Sequence, residues 1–194
     1  MGREFELKFR SNGEKNAAIR EKYGEFSSIS METTYYDTPD RVLRARHWTL
    51  RRRFENGVSV CTVKTPAPNG GRGEWEVQAG DIMSAVPVLV ALGAPEDLLE
   101  LTQNGVVEVC AARFTRLAKK ILLADGSIEL ALDEGHLLGG GKALPLAEVE
   151  VELKSGSDMV AIGFARLLAA EFQLAQESKS KLQRALELTY TGET

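Results

Sequence analysis

The chain has only two cysteines, Cys61 and Cys110, and two histidines, His47 and His136, among 194 residues. The cysteines are isolated in apolar, strand-like stretches, so they read as reduced core residues and offer no disulfide framework. The histidines have no partner at ligand spacing, which argues against a zinc site. No apolar run is long enough to span a bilayer. The opening, Met1-Gly2-Arg3-Glu4, lacks the apolar segment of a signal peptide, and Glu6 stands where a myristoylation signal needs Ser or Thr. A cytoplasmic chain with no membrane partner is therefore expected. A basic excess is also missing: the net charge is -4, whereas nucleic-acid binders carry cations that neutralise phosphates. No nucleic-acid partner is expected. Repeats of solenoid length are absent. Gly139-Gly140-Gly141-Lys142 lacks the spacing and the Ser or Thr of a phosphate-binding loop, and a Pro and a strand follow it where that motif needs a helix, so it reads as a flexible hairpin loop.

What the chain does have is alternation. In Glu4-Phe5-Glu6-Leu7-Lys8-Phe9, the charged residues share one face of a strand and the apolar residues share the other. A surface strand would show the same pattern, but here it recurs. Glu148, Glu150 and Glu152 alternate with Val149, Val151 and Leu153. Glu74 and Glu76 flank Trp75, Arg51 and Arg53 share a face, and Thr62 and Lys64 alternate with Cys61 and Val63. If these strands form one sheet closed on itself, charged faces line the interior and apolar faces pack under helices outside. With 43% hydrophobic and 27% charged residues, the chain suits a single α+β domain.

Strands are predicted over Arg3–Phe9, Ile29–Tyr36, Trp48–Phe54, Val58–Lys64, Gly73–Gln78, Val106–Leu117, Lys119–Ala124, Ser127–Asp133 and Ala147–Lys154. Glu55-Asn56-Gly57 signals a hairpin. Asp37-Thr38-Pro39-Asp40 makes a turn, where Asp37 either braces the backbone or touches a ligand. Helices are predicted over Ser11–Tyr23, Asp81–Leu92 with Pro87 as a possible kink, after Pro95, from the Ser157-Asp158 cap to Leu174, and over Ser178–Leu188. Arg41–Arg46 reads as a helical turn. Arg52 should face away from Arg51 and Arg53. Arg113 and Arg116 have opposite parity, so one points outward unless a bulge intervenes.

Charges inside a barrel need partners, because a buried unpaired charge costs several kcal/mol or neutralises. Three carboxylates in a row demand cations: Arg and Lys side chains, or a divalent metal such as Mg²⁺ or Mn²⁺. Basic residues spread over several elements suit phosphate oxygens. Together they fit a polyanion that carries metal. A purely structural network of salt bridges is the alternative.

These residues resemble those of the CYTH superfamily, the triphosphate tunnel metalloenzymes. Glu4-Phe5-Glu6-Leu7-Lys8 matches its ExExK signature. Tyr35-Tyr36-Asp37-Thr38-Pro39, Leu50-Arg51-Arg52-Arg53, Thr62-Val63-Lys64, Arg72-Gly73-Glu74-Trp75-Glu76, Phe114-Thr115-Arg116, Leu132-Asp133 and Ser180-Lys181-Leu182-Gln183-Arg184 follow in the family's order. The resemblance covers nearly the whole chain, residues 1–194 as one CYTH-like domain. It implies a closed eight-stranded antiparallel β-barrel, a tunnel with helices packed outside. Carried onto matching positions, it implies metal ligands at Glu4, Glu6, Glu150 and Glu152. Phosphates would be held by Lys8, Arg51, Arg53, Lys64, Arg116, Lys181 and Arg184, with Glu74, Glu76, Asp133 and Glu148 in support. Glu4, Glu6 and Lys8 would be the catalytic set.

The implied activity is metal-dependent hydrolysis of inorganic triphosphate, with Mg²⁺ or Mn²⁺ as cofactor. Adenylate cyclisation, hydrolysis of thiamine or nucleoside triphosphates, and non-catalytic polyphosphate binding remain open. Relatives often carry a C-terminal helical CHAD domain, so such a companion is implied for a full-length protein. Oligomeric state is not implied.

Overall fold

Alternation of charged and apolar residues produces a sheet with two unlike faces. The structure is a computed structural model that describes residues 5–66 and 72–190. Its strands are β1 (Glu6–Arg10), β2 (Ser27–Asp37), β3 (Thr49–Glu55), β4 (Val58–Pro66), β5 (Arg72–Gln78), β6 (Val107–Leu123), β7 (Gly126–Gly139), β8 (Lys142–Ser155) and β9 (Ala175–Gln176). The helices are α1 (Gly13–Tyr23), α2 (Val42–Ala45), α3 (Ile82–Ala91), α4 (Asp97–Thr102), α5 (Asp158–Phe172) and α6 (Lys181–Tyr190). None of the helices among the described residues is long and apolar enough to cross a membrane.

All strand pairs are antiparallel, in the order β5-β4-β3-β2-β6-β7-β8-β1-β9. The expected closed eight-stranded barrel is thus corrected: among the described residues the sheet has nine strands and is open, with no pairing between β5 and β1. The reason lies at one edge. β9 pairs with β1 through Phe9↔Gln176 and Arg10↔Ala175, and Glu177 N–H donates to Lys8 O at 2.8 Å. These residues occupy the edge of β1 over residues 8–10. The sheet still curls far enough for Glu6 and Lys8 at one end of the strand order and Arg72, Glu74 and Glu76 at the other to line one cavity of about 600 Å³.

Two apolar cores cover the convex face. Phe9, Ile128, Leu130, Leu132, Val149 and Val151 pack under Ile19 of α1 and Ala161, Ala165 and Leu168 of α5. Leu50, Cys61 and Val63 pack under Ile82, Ala85, Val86 and Leu89 of α3 and Leu98 of α4. Both cysteines are free and buried, and burial pushes their thiols up, Cys61 to about 11 and Cys110 to about 12, so both stay protonated and inert.

α6 departs from the expectation that helices pack only outside. Its Ala185 and Leu186 pack on Tyr35, Cys110, Ala112, Leu137 and Leu146. These strand positions share the parity of the cavity residues Thr33, Phe114 and Glu150, so α6 sits on the concave face and fills one end of the trough. Its start is a reciprocal capping box: Gln183 N–H donates to Ser180 Oγ at 3.1 Å, and Ser180 N–H donates to Gln183 Oε1 at 2.8 Å. Lys181 and Arg184, three residues apart, then project from one face of the helix.

The glycine run of residues 139–141 serves that docking. Gly140 and Gly141 both have positive φ, as a two-residue hairpin turn requires. A Cβ on Gly139 would lie 2.2 Å from Ala185 O. Gly139→Ala is expected to push α6 off the sheet and to cost about 1–3 kcal/mol, the usual penalty of overpacking, measured by urea unfolding. An unchanged midpoint would mean that α6 can withdraw freely.

Other turns follow the sequence. Asn56 and Gly57 have positive φ in the β3–β4 hairpin. Asp37 accepts from the N–H groups of Thr38, Leu43 and Arg44 at 2.8, 3.0 and 3.2 Å, so it braces the turn and the start of α2. Pro87 does not split α3. It lies on the solvent side with Met83, where the carbonyl it leaves without a partner can meet water. Ser157 occupies the N-cap of α5 without a side-chain cap bond. The two strands predicted over 106–124 are one strand of 17 residues, because β7 and β2 pair with it through Ala118.

Candidate active site

β3 and β4 build a cationic wall. Arg51 and Arg53 stand two apart on β3, and Lys64 on β4 pairs in register with Thr49. All three line the cavity. Lys64 Nζ lies 3.1 Å from Glu74, Arg51 lies 3.6 Å from the same carboxylate, and Arg53 pairs with Glu55. Arg53 is lowered from the ordinary guanidinium range by burial and by the like charges of Arg51 and Arg116. Among the described residues, the buried Nε atoms of Arg51 and Arg53 and the Thr62 hydroxyl have no hydrogen-bond partner. Crowded cations with unfilled donors are what a bound anion would relieve.

The opposite wall is acidic. Register places Glu6 of β1 beside Glu152 of β8, and Glu152 beside Glu129 of β7. All three line the cavity. Lys154 lies 2.8 Å from Glu152 and 3.8 Å from Glu129, and Lys8 lies 3.7 Å from Glu6.

Between the walls lies a buried ionic knot. Among the described residues, Asp133, Glu148 and Glu150 are the group whose carboxylate oxygens come within 4.8 Å of one another, close enough to hold a metal ion. Lys181 Nζ already sits there, 2.8 Å from Asp133 and 2.7 Å from Glu150, and pairs with Glu148. Arg116 makes a fork to Asp133 at 2.8 and 2.7 Å and also pairs with Glu150. Arg184 pairs with Glu148.

The environment splits the two glutamates. Burial raises Glu148 to about 7 against the pull of Lys181. Glu150 is held well below the ordinary range, since Lys181 and Arg116 outweigh its burial. Lys181 and Arg116 are raised: burial opposes this, but the facing carboxylates prevail. The chemistry of this donor set suits a cation, and the ammonium fills it. Glu6, Glu129 and Glu152 line the cavity as well, each 3.8 Å or less from a lysine, and they are spread wider than the Asp133, Glu148 and Glu150 group.

The sequence-predicted residues therefore fall into three groups. Glu6, Lys8, Arg51, Arg53, Lys64, Glu74, Glu76, Arg116, Glu150, Glu152 and Lys181 meet at the cavity. Asp133 and Glu148 are fully buried behind them, and Arg184 reaches Glu148 from behind and borders a second cavity. Glu4 lies outside the described residues. Arg116 points in and Arg113 out, where it bonds Thr33 O and faces Glu32. Arg52 points out to Gly80 O.

Sequence reasoning missed Glu55, Glu129 and Lys154. Each shares strand parity with a residue it did select, namely Arg53, Asp133 and Glu152, so the alternation argument carried through to the strand ends would have found them.

Comparison with known proteins follows this geometry. The sequence matches the CYTH domain over residues 2–186. It is 27% identical over 162 residues to an inorganic triphosphatase of Haemophilus influenzae, covering 82% of this chain and 46% of that protein. The chain thus spans about half the length of that relative. A Pyrococcus horikoshii protein superposes with a TM-score of 0.63 at 25% identity, over 95% of this chain and 99% of the other. An adenylate-cyclase candidate of Bacillus halodurans superposes with 0.66 at 21%, over 95% and 98%. A Hippeastrum adenylyl-cyclase candidate described as having a dominant triphosphatase activity superposes with 0.62 at 16%, over 100% and 97%.

Proposed function

The chain belongs to the CYTH family, and from that membership we propose that it hydrolyses inorganic triphosphate to pyrophosphate and phosphate with a divalent metal. The observation that carries this reading is the pair of opposed walls around one cavity: Arg51, Arg53 and Lys64 on one side, Glu6, Glu129 and Glu152 on the other. A phosphate chain lies against the first, and its metal against the second. The name of the Haemophilus relative agrees.

In this reading Arg51 and Arg53 fork onto phosphate oxygens, and Lys8 and Lys64 act as point charges. Arg116 and Lys181 are held rigid by the buried carboxylates, so they meet developing charge without reorganising. Glu6 and Glu152 hold the metal, with Glu150 at the border and Glu4 on the same strand face by sequence. Mg²⁺ or Mn²⁺ supplies charge neutralisation and a water of lowered pKa. Glu74 and Glu76 orient the cationic wall. Most of the rate enhancement then comes from positioning and electrostatics.

Phosphate release from triphosphate, ATP and thiamine triphosphate, with Mg²⁺, Mn²⁺ or EDTA, tests this directly. Metal-dependent turnover is expected, strongest on triphosphate and lost in EDTA. Cyclic AMP from ATP, or tight triphosphate binding with no hydrolysis under any metal, would replace this reading with a cyclase or a binding module.

A further inference from the structure

We propose that Glu177 is a positioning residue for the reaction: it clamps the segment that leads into α6 onto β1 and so aims Lys181 into the cavity. This rests on the triphosphate reading of that cavity.

Glu177 lies in an irregular linker of four residues between β9 and α6, yet it is only 4% exposed. Burying a carboxylate is costly unless its oxygens are satisfied. Here they are satisfied by β1 on one side and by the linker's own backbone, just before α6, on the other. Oε2 accepts from Arg10 Nε of β1 at 2.8 Å. Oε1 accepts from the Lys179 amide at 2.9 Å, two residues before Lys181. The backbone adds a third tie, Glu177 N–H to Lys8 O, and the Lys8 side chain lines the cavity. Arg184 Nη1 lies 3.9 Å from Glu177, while the same guanidinium pairs with Glu148. Burial pushes Glu177 up, but the Lys179 amide, Arg10 and Arg184 hold it below the ordinary range, so it is ionised at neutral pH.

The linker matters because the knot tolerates little error. Lys181 must reach three carboxylates at once, and charge-assisted bonds weaken steeply with misplacement. The capping box fixes where α6 starts relative to its own first turn, but nothing in it refers to the sheet. Ala185 and Leu186 dock the body of α6 on the sheet, and Glu177 adds a reference to β1 at its start.

The test is a kinetic cycle on triphosphate with Mg²⁺. Glu177→Ala is expected to lower kcat/KM by about 10–100-fold, the range for residues that orient a site through others. In a Lys181→Arg background, which keeps a cation in the knot, the same change should cost less than about threefold, because the residue it aims is already misfitted. Equal losses in both backgrounds, or none, overturn the proposal.

Glu177→Gln keeps the size and the amide acceptor and guards against a folding failure. In it, amide hydrogen exchange over Lys179–Arg184 should quicken by about tenfold or more. Unchanged exchange overturns the clamp, and faster exchange with unchanged kcat/KM reduces Glu177 to a stability role. If the wild type turns over no triphosphate, the functional reading fails by itself, and exchange still decides the clamp.

Discussion

Replacing Glu6 with Gln is expected to lower triphosphate turnover by about 10³-fold or more while the protein stays folded. The amide keeps the shape and removes the charge. Glu6 lies on the acidic wall in register with Glu152, and its side chain is 32% exposed and 3.7 Å from Lys8, so the amide fits the same space. Losing a half-exposed ion pair of this kind usually shifts stability by about 1 kcal/mol or less. A metal that neutralises phosphate charge supplies several kcal/mol to the transition state, and each 1.36 kcal/mol is tenfold in rate. The Mg²⁺ concentration at half-maximal rate should rise along with the loss. Wild-type turnover with an unchanged metal requirement would remove Glu6 from the metal site. Glu4→Gln should behave alike if the ExExK strand carries both ligands on one face.

Lys181→Met should behave in the opposite way, striking stability as hard as activity. The side chain is 10% exposed and sits among Asp133, Glu148 and Glu150. Removing it leaves three buried carboxylates with only Arg116 and Arg184, and breaking a buried ionic set by deleting one partner costs about 3–5 kcal/mol.

The pH dependence identifies the cause. Without the ammonium, Glu148 loses the charge that Lys181 sets against its burial, and its folded-state pKa rises further above its unfolded value near 4. Glu148 already stands at about 7 with Lys181 in place. A group whose folded pKa is raised has its stability fully present below the unfolded pKa and loses it as pH rises through the folded one. The deficit relative to wild type should therefore be largest above pH 7 and shrink toward pH 5. Urea unfolding at pH 5 and pH 8 measures it. A deficit that is flat with pH would mean that lost packing against Phe114, and not charge, explains the effect.

These two residues mark how far the chain could be read in one dimension. Glu6 was legible because strand periodicity alone assigns its face, and the same argument placed Arg51, Arg53, Lys64 and Glu152. Local rules also worked where the cause was local: Asn56-Gly57 made its hairpin, and Asp37 braced its turn. Lys181 was different. On a helix far along the chain, it could have been a solvated lysine, and no spacing in the sequence says that it enters a knot with β7 and β8.

The sequence by itself determined which side chains would be charged, which strand faces they would share, and that those faces would have to find counter-charges. Period two and the cost of burying charge are enough for that, and they act between neighbours along the strand. Only the tertiary structure decided that, among the described residues, β1 takes β9 and not β5 as its second neighbour. It alone decided that α6 turns into the concave face, since Gly139 admits the Ala185 carbonyl where any Cβ would exclude it. And it alone decided which carboxylates are buried with lysine and arginine and which line the cavity, because that partition depends on distances between elements far apart in the chain.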